Sequence, residues 1–161
     1  MIRHFKYFLF ALMLITVQTK VMSVFSLEGI TPDLLLIWLI YIAIKNDQLT
    51  ATIWGFTIGI MFDLATGNFI GLSALSKTIA GFIAGYFYNE NKAAMTLGSY
   101  RFVIIVLLIS VVHNSIYFTA FTRGSEIGLW RAIFQYGLAT TFYTAAVTLL
   151  PMFIFARKYI R

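Results

Sequence analysis

Apolar residues in this chain gather into six long runs separated by short polar breaks, and none of the runs alternates with the period of two that a membrane β-barrel strand requires. The pattern predicts an all-α fold of about six transmembrane helices in one domain, residues 1–161, with spans near 5–25, 31–44, 49–64, 71–88, 102–121 and 132–156. In the first run Arg3, His4 and Lys6 precede an apolar stretch from Tyr7 to Val17, which has the outline of a signal peptide. Gln18, Thr19 and Lys20 follow in place of a small-residue cleavage site, so the run reads as an uncleaved span. The second run opens on Thr31, Pro32 and Asp33, where Thr31 suits a cap, Pro32 the first helical position and Asp33 the positive end of the helix dipole. Its charge-free core, Leu34 to Ile44, is short for a span, and the count falls to five if this segment is re-entrant. Thr66, Gly67, Asn68 and Gly71 mark a tight turn between the third and fourth runs. Residues 89–101 form a polar connection, and Pro151 should kink the last helix near its exit.

Composition agrees with a membrane setting. Of 161 residues 60% are hydrophobic and 11% charged, and the mean hydropathy is +0.86. A soluble domain carries about 25% charged residues, so this chain cannot furnish a water-facing surface. There is no cysteine, which removes disulfides, thiol catalysis and thiolate metal sites. The net charge of +6 sits mostly between the runs, where it sets topology rather than attracting nucleic acid. With six spans and the N-terminus inside, Arg3, Lys6, Lys45, Lys92, Arg101, Arg157, Lys158 and Arg161 lie on the inner side. Arg123 and Arg131 lie outside, with Lys20 close to them. The positive-inside rule therefore places both termini in the cytoplasm, with Tyr86, Phe87, Tyr88 and Trp130 at span boundaries.

One constellation stands out. Gly55, Gly59 and Asp63 recur at four-residue spacing, and so do Lys77, Gly81 and Gly85, mirrored about position 70. In a helical hairpin this predicts a glycine packing seam, Gly55 with Gly85 and Gly59 with Gly81, and an intramembrane ion pair between Asp63 and Lys77. Each charge alone would cost about 3 kcal/mol in hydrocarbon. The bland reading is a packing seam with an internal ion pair, the sharper one is a binding cavity or proton path, and in a third Lys77 snorkels outward while Asp63 works alone as a turn cap. His113 and Asn114 in the fifth run, with Tyr117 a turn on, and Gln135 in the sixth read as a polar interior. Its role is either interhelical hydrogen bonding or a ligand cavity. A metal site is not expected, because the only other histidine is His4 at the far end. Lys20, Glu28 and Asp33 form either a solvated outer rim or a docking point for a periplasmic partner. No nucleophile arrangement or phosphate-cradling loop is present, so neither catalysis nor a cofactor is expected.

The stretch from Pro32 to Tyr88 resembles the MreD family of the bacterial rod-shape machinery. The residues that carry the resemblance are Pro32-Asp33-Leu34 opening the second span, Gly55 to Gly59 to Asp63-Leu64 in the third, then Gly67, and Gly71-Leu72-Ser73-Ala74-Leu75 opening the fourth. The resemblance implies a non-enzymatic scaffold of the cell-elongation complex. Its partners would be an MreC-like protein, a RodA-like glycosyltransferase with its transpeptidase, cytoplasmic MreB indirectly, and the lipid bilayer, with a homodimer left open. It also implies a fold near that of the six-helix substrate-binding subunits of vitamin-uptake transporters. Such a subunit is the alternative function, against which stands the lack of an alanine four residues from Ala11 in the first helix.

Overall fold

The computed structural model describes residues 2–21, 30–67, 69–122 and 128–159, and within these every regular element is helical. Helix α1 (Ile2–Thr16) widens into a π-helical stretch at Val17–Val21. It is followed by α2 (Leu34–Lys45), α3 (Gln48–Thr66), α4 (Leu72–Ala84) with a 3-10 turn at Gly85–Phe87, and α5 (Ala93–Leu97). Then come α6 (Tyr100–Thr122), a single turn α7 (Leu129–Arg131), a second π-helical stretch at Ala132–Gly137, and α8 (Leu138–Tyr159), which contains Pro151.

Among the described residues three helical segments are long and apolar enough to cross a bilayer: Gln48–Thr66, Tyr100–Thr122 and Leu129–Arg157. Large apolar side chains stand exposed along them, among them Phe56, Leu64, Ile104, Leu108, Phe142 and Phe153. Such a surface is tolerable only against lipid or a partner.

Helix α2 is built differently. Its 12 residues reach only about 18 Å, well short of the roughly 30 Å hydrocarbon core. Eight of them are buried, and a helix that is apolar on every side belongs inside a bundle. It touches α1, α3, α4, α5, α6 and α8 and so forms the central post around which the others stand. The expected cap at Thr31 is displaced by two residues. Asp33 is the N-cap, because its carboxylate accepts from the backbone N–H of Leu36 at 2.9 Å, and Pro32 lies ahead of the helix. The polar connection at 89–101 also differs from expectation, since it contains α5, whose Leu97 is fully buried.

Two cations that the sequence reading put on the inner side, Arg3 and Lys45, share a recess with Asp47, Tyr88 and Glu90, and Gly98 packs against the backbone of Ala156 near the end of α8. Glu28, Arg123 and Arg161 lie outside the described residues.

Candidate functional site

The α3–α4 hairpin is the most extensive helix contact in the molecule. Each glycine of the two triplets meets backbone or side chain of the facing helix so closely that a methyl group would collide. Gly55 faces Lys77 and Thr78, Gly59 faces Ala74 and Ser73, Gly81 lies against the carbonyl of Ala51, and Gly85 lies against Gln48. The mirror pairing about position 70 is therefore wrong in register. Gly59 meets Ala74, seven residues before Gly81, which is about two helical turns.

Asp63 supplies the reason for this register. Its carboxylate reaches across the turn and accepts from the backbone N–H groups of Gly71 at 2.9 Å, Ser73 at 3.1 Å and Ala74 at 3.2 Å. These are unpaired donors at the start of α4, where the helix dipole favours negative charge. The geometry pins residue 63 opposite 71–74 and not opposite 77. Gly67 (φ 68°) and Gly71 (φ 103°) make the short connection in backbone conformations that side-chain-bearing residues resist.

The predicted Asp63–Lys77 ion pair does not form. Lys77, 2% exposed, instead donates to the Asp33 carboxylate at 2.7 Å. Asp33 is thereby held from four directions. Its own backbone N–H donates to Thr144 Oγ1 of α8 at 3.0 Å, and Gln18 of the π-helical stretch after α1 donates to its carboxylate at 3.4 Å. The same Gln18 side chain accepts from the N–H of Leu35 at 3.1 Å, satisfying another donor at the start of α2. A non-helical segment within a membrane bundle survives only where protein groups take up its polar backbone in this way.

His113 and Asn114 of α6 join this centre, and hydrogen bonding assigns their roles. Asn114 Nδ2 donates to the Gly137 carbonyl at 3.1 Å and to Thr141 Oγ1 at 2.9 Å, which leaves Asn114 Oδ1 as an acceptor facing His113 Nδ1 at 3.3 Å. The proton of a neutral imidazole is then on Nδ1, and Nε2 accepts from the Lys77 ammonium at 3.3 Å, with Ser76 Oγ 3.2 Å away. The Gly137 carbonyl ends the π-helical stretch ahead of α8, a distortion that turns polar backbone toward the interior. Gln135 does not belong to this interior. It is exposed, two residues and so about half a helical turn away from Gly137, and it accepts from Arg131 one turn earlier.

Beside the centre is a cavity of about 230 Å³, walled by α1, α3, α4, α6, α8 and the segment before α2. Its polar lining includes Asp33, Ser73, Lys77, His113, Tyr117 and Thr140. Among the described residues no three His, Cys, Asp or Glu side chains converge as a metal site. Asp33, Lys77 and His113 are joined to one another, and the Ser76 hydroxyl lies 3.2 Å from His113 Nε2.

Sequence reasoning found Lys77, His113 and Asn114 but missed Asp33 as the partner, together with Gln18, Ser76 and Thr144. A usable signal was present in the sequence. Once Asp63 is spent on the turn that Gly67 and Gly71 announce, Lys77 needs another acid at its own end of the bundle, and Asp33 heads a helix there.

A bundle of apolar helices that exposes phenylalanine and leucine to its surroundings and closes around a neutralised polar centre is a multi-pass membrane protein. Its Pro-Asp-Leu cap, glycine contacts and Asp63 clasp are the residues on which the resemblance rested. The chain belongs to the MreD family: the family model described as rod shape-determining protein MreD matches residues 1–159. No curated protein and no solved structure matches the chain.

Proposed function

We propose that the chain is a non-enzymatic scaffold of the bacterial cell-elongation complex in the inner membrane. It would couple an MreC-like protein and, through it, cytoplasmic MreB to a RodA-like glycosyltransferase and its transpeptidase, and so maintain rod shape. The observation that carries this reading is the family match over nearly the whole chain. The geometry is compatible with it, since the charged interior groups are spent on one another and on helix caps. The arrangement in the membrane is part of the proposal: one domain of six spans with both termini cytoplasmic. Its support is the gathering of Arg3, Lys45 and the 88–94 connection in one recess. The glycines at 55, 59, 81 and 85 would keep the α3–α4 hairpin rigid, so that partners meet a fixed surface.

The test is to replace the resident MreD-family gene of a rod-shaped bacterium with one encoding this chain carrying an affinity tag. Rod shape should be retained, and the MreC-like protein should co-purify from detergent-solubilised membranes. Rounded cells despite normal membrane levels of the chain, with no MreC-like protein retained, would refute the scaffold reading.

A further inference from the structure

The cavity beside Asp33 and Lys77 has polar walls with unused hydrogen-bonding capacity. Ser73 is fully buried on its wall, and its hydroxyl has no partner. A buried hydroxyl left unmade costs roughly 1–3 kcal/mol, so such groups are normally satisfied by something. Lys77 uses two of its three protons, on Asp33 and His113, while its ammonium lies 5.4 Å from the centre of the Phe62 ring. The Tyr117 ring stacks on His113 at 6.1 Å, and its hydroxyl makes no hydrogen bond among the described residues. The site thus offers Ser73, Tyr117 and Lys77 as donors around one space, with the hydroxyls of Thr31 and Thr140 also on its wall.

The charge balance of the walls decides what can occupy it. Asp33 and Lys77 cancel, and His113 is held in a neutral tautomer. Asp63 lies just behind Ser73, since it accepts from the Ser73 N–H. An anion entering here would face Asp33 and Asp63 with Lys77 already engaged. A cation would have to displace Lys77 from Asp33. Either would be stripped of water without compensation, which is costly. A neutral group with several hydroxyls meets no such penalty and answers every unused donor and acceptor. At about 30 Å³ per water, 230 Å³ holds about seven or eight waters, below the usual range for drug-sized ligands. The fitting size is that of a small polyol or a single sugar ring.

We infer that this cavity is a binding site for a neutral polyhydroxyl group, either a free solute or the head of a lipid, held by Ser73, Tyr117 and Lys77. The full chain would be placed in phosphatidylcholine nanodiscs with 15N-labelled histidine. The imidazole nitrogen signals are then followed while methyl β-D-glucopyranoside, inorganic phosphate or tetramethylammonium is added. The chain has two histidines, and His4 stacks on Trp54 and meets Tyr7 edge-on, away from this cavity, so it serves as an internal reference. Saturable movement of the His113 signals with the glucoside alone is expected. The combined variant Ser73→Ala, Tyr117→Phe should weaken it at least tenfold, and it removes no hydrogen bond that the structure contains. Octyl β-D-glucopyranoside more potent than the methyl glycoside at equal concentration identifies a lipid-borne head, and equal potency identifies a free solute. Absence of saturation with the glucoside, equal responses to the charged probes, or full affinity in the combined variant would overturn the inference. Should that variant fail to fold, the comparison of the three probes on the unaltered chain decides alone.

Discussion

Substituting Lys77 tests the architecture of the polar centre most directly. The Lys77–Asp33 contact is 2.7 Å, and the two side chains are 2% and 10% exposed, so neither can turn to water when its partner is lost. Removing one member of such a pair typically costs about 3–5 kcal/mol, because a charge is stranded, whereas replacing both by uncharged groups costs far less. Lys77→Met keeps the length of the side chain. Asp33→Asn keeps an oxygen to accept from the Leu36 N–H and so spares the cap of α2. Each single variant should lose about 3 kcal/mol or more, a factor of over a hundred in the unfolding equilibrium. The double variant should be no less stable than the worse single one, giving a coupling energy of about 3 kcal/mol or more. The measurement is loss of helical circular dichroism as sodium dodecyl sulfate is titrated into mixed micelles. The same cycle with Asp63→Asn and Lys77→Met should show little coupling, because Asp63 is engaged by backbone N–H groups of α4 and not by Lys77. Additive losses in the Asp33 cycle, or an equal coupling in the Asp63 cycle, would refute the assignment.

Further outcomes follow from the same coordinates. Gly59→Ala should destabilise by about 1–3 kcal/mol in that titration, because the new methyl group falls on the Ala74 backbone, while Gly128→Ala, with open space around it, should change stability by less than about 0.5 kcal/mol. Gln135→Ala should likewise be near neutral, and a loss above about 1 kcal/mol would return Gln135 to the interior. Asp47 caps α3 at an exposed position, where the hydroxyl and N–H of Thr50 hold its carboxyl below the ordinary value of 3.8. Its contribution is full above that ordinary value and disappears as the pH falls through the lowered one. Unfolding midpoints of the Asp47→Ala variant and the unaltered chain should therefore differ at pH 6 and converge at the acid end of the titration.

The helical runs, the turn at Gly67 and the close approach of the glycines are legible from spacing and residue type alone, because those signals are local. The register of the hairpin is not legible. Glycines at four-residue intervals admit several alignments, and the choice rests on which donors Asp63 reaches. The Lys77 partner was hidden for a similar reason. Asp33 lies 44 residues earlier, and nothing in periodicity links α2 to α4. Gln135 shows the converse failure. Two residues before Gly137, even a regular helix turns it about 200° away from the face that carries Gly137 and Thr141, so helical spacing measured from those residues would have placed it outside.

The way Asp33 is held also constrains the order in which the protein can be assembled. Its partner Lys77 is synthesised 44 residues later, and Thr144, which accepts its backbone N–H, 111 residues later. At about 5–20 residues per second, the acid waits roughly two to nine seconds for its counter-ion and longer for the last helix. Through that interval the head of α2 carries an insertion penalty of about 3 kcal/mol that its own short apolar core must outweigh. The central post of the bundle is thus among the first segments made and among the last to be secured. A nascent chain stalled before Lys77 emerges would leave α2 at the membrane surface or in the care of the insertion machinery.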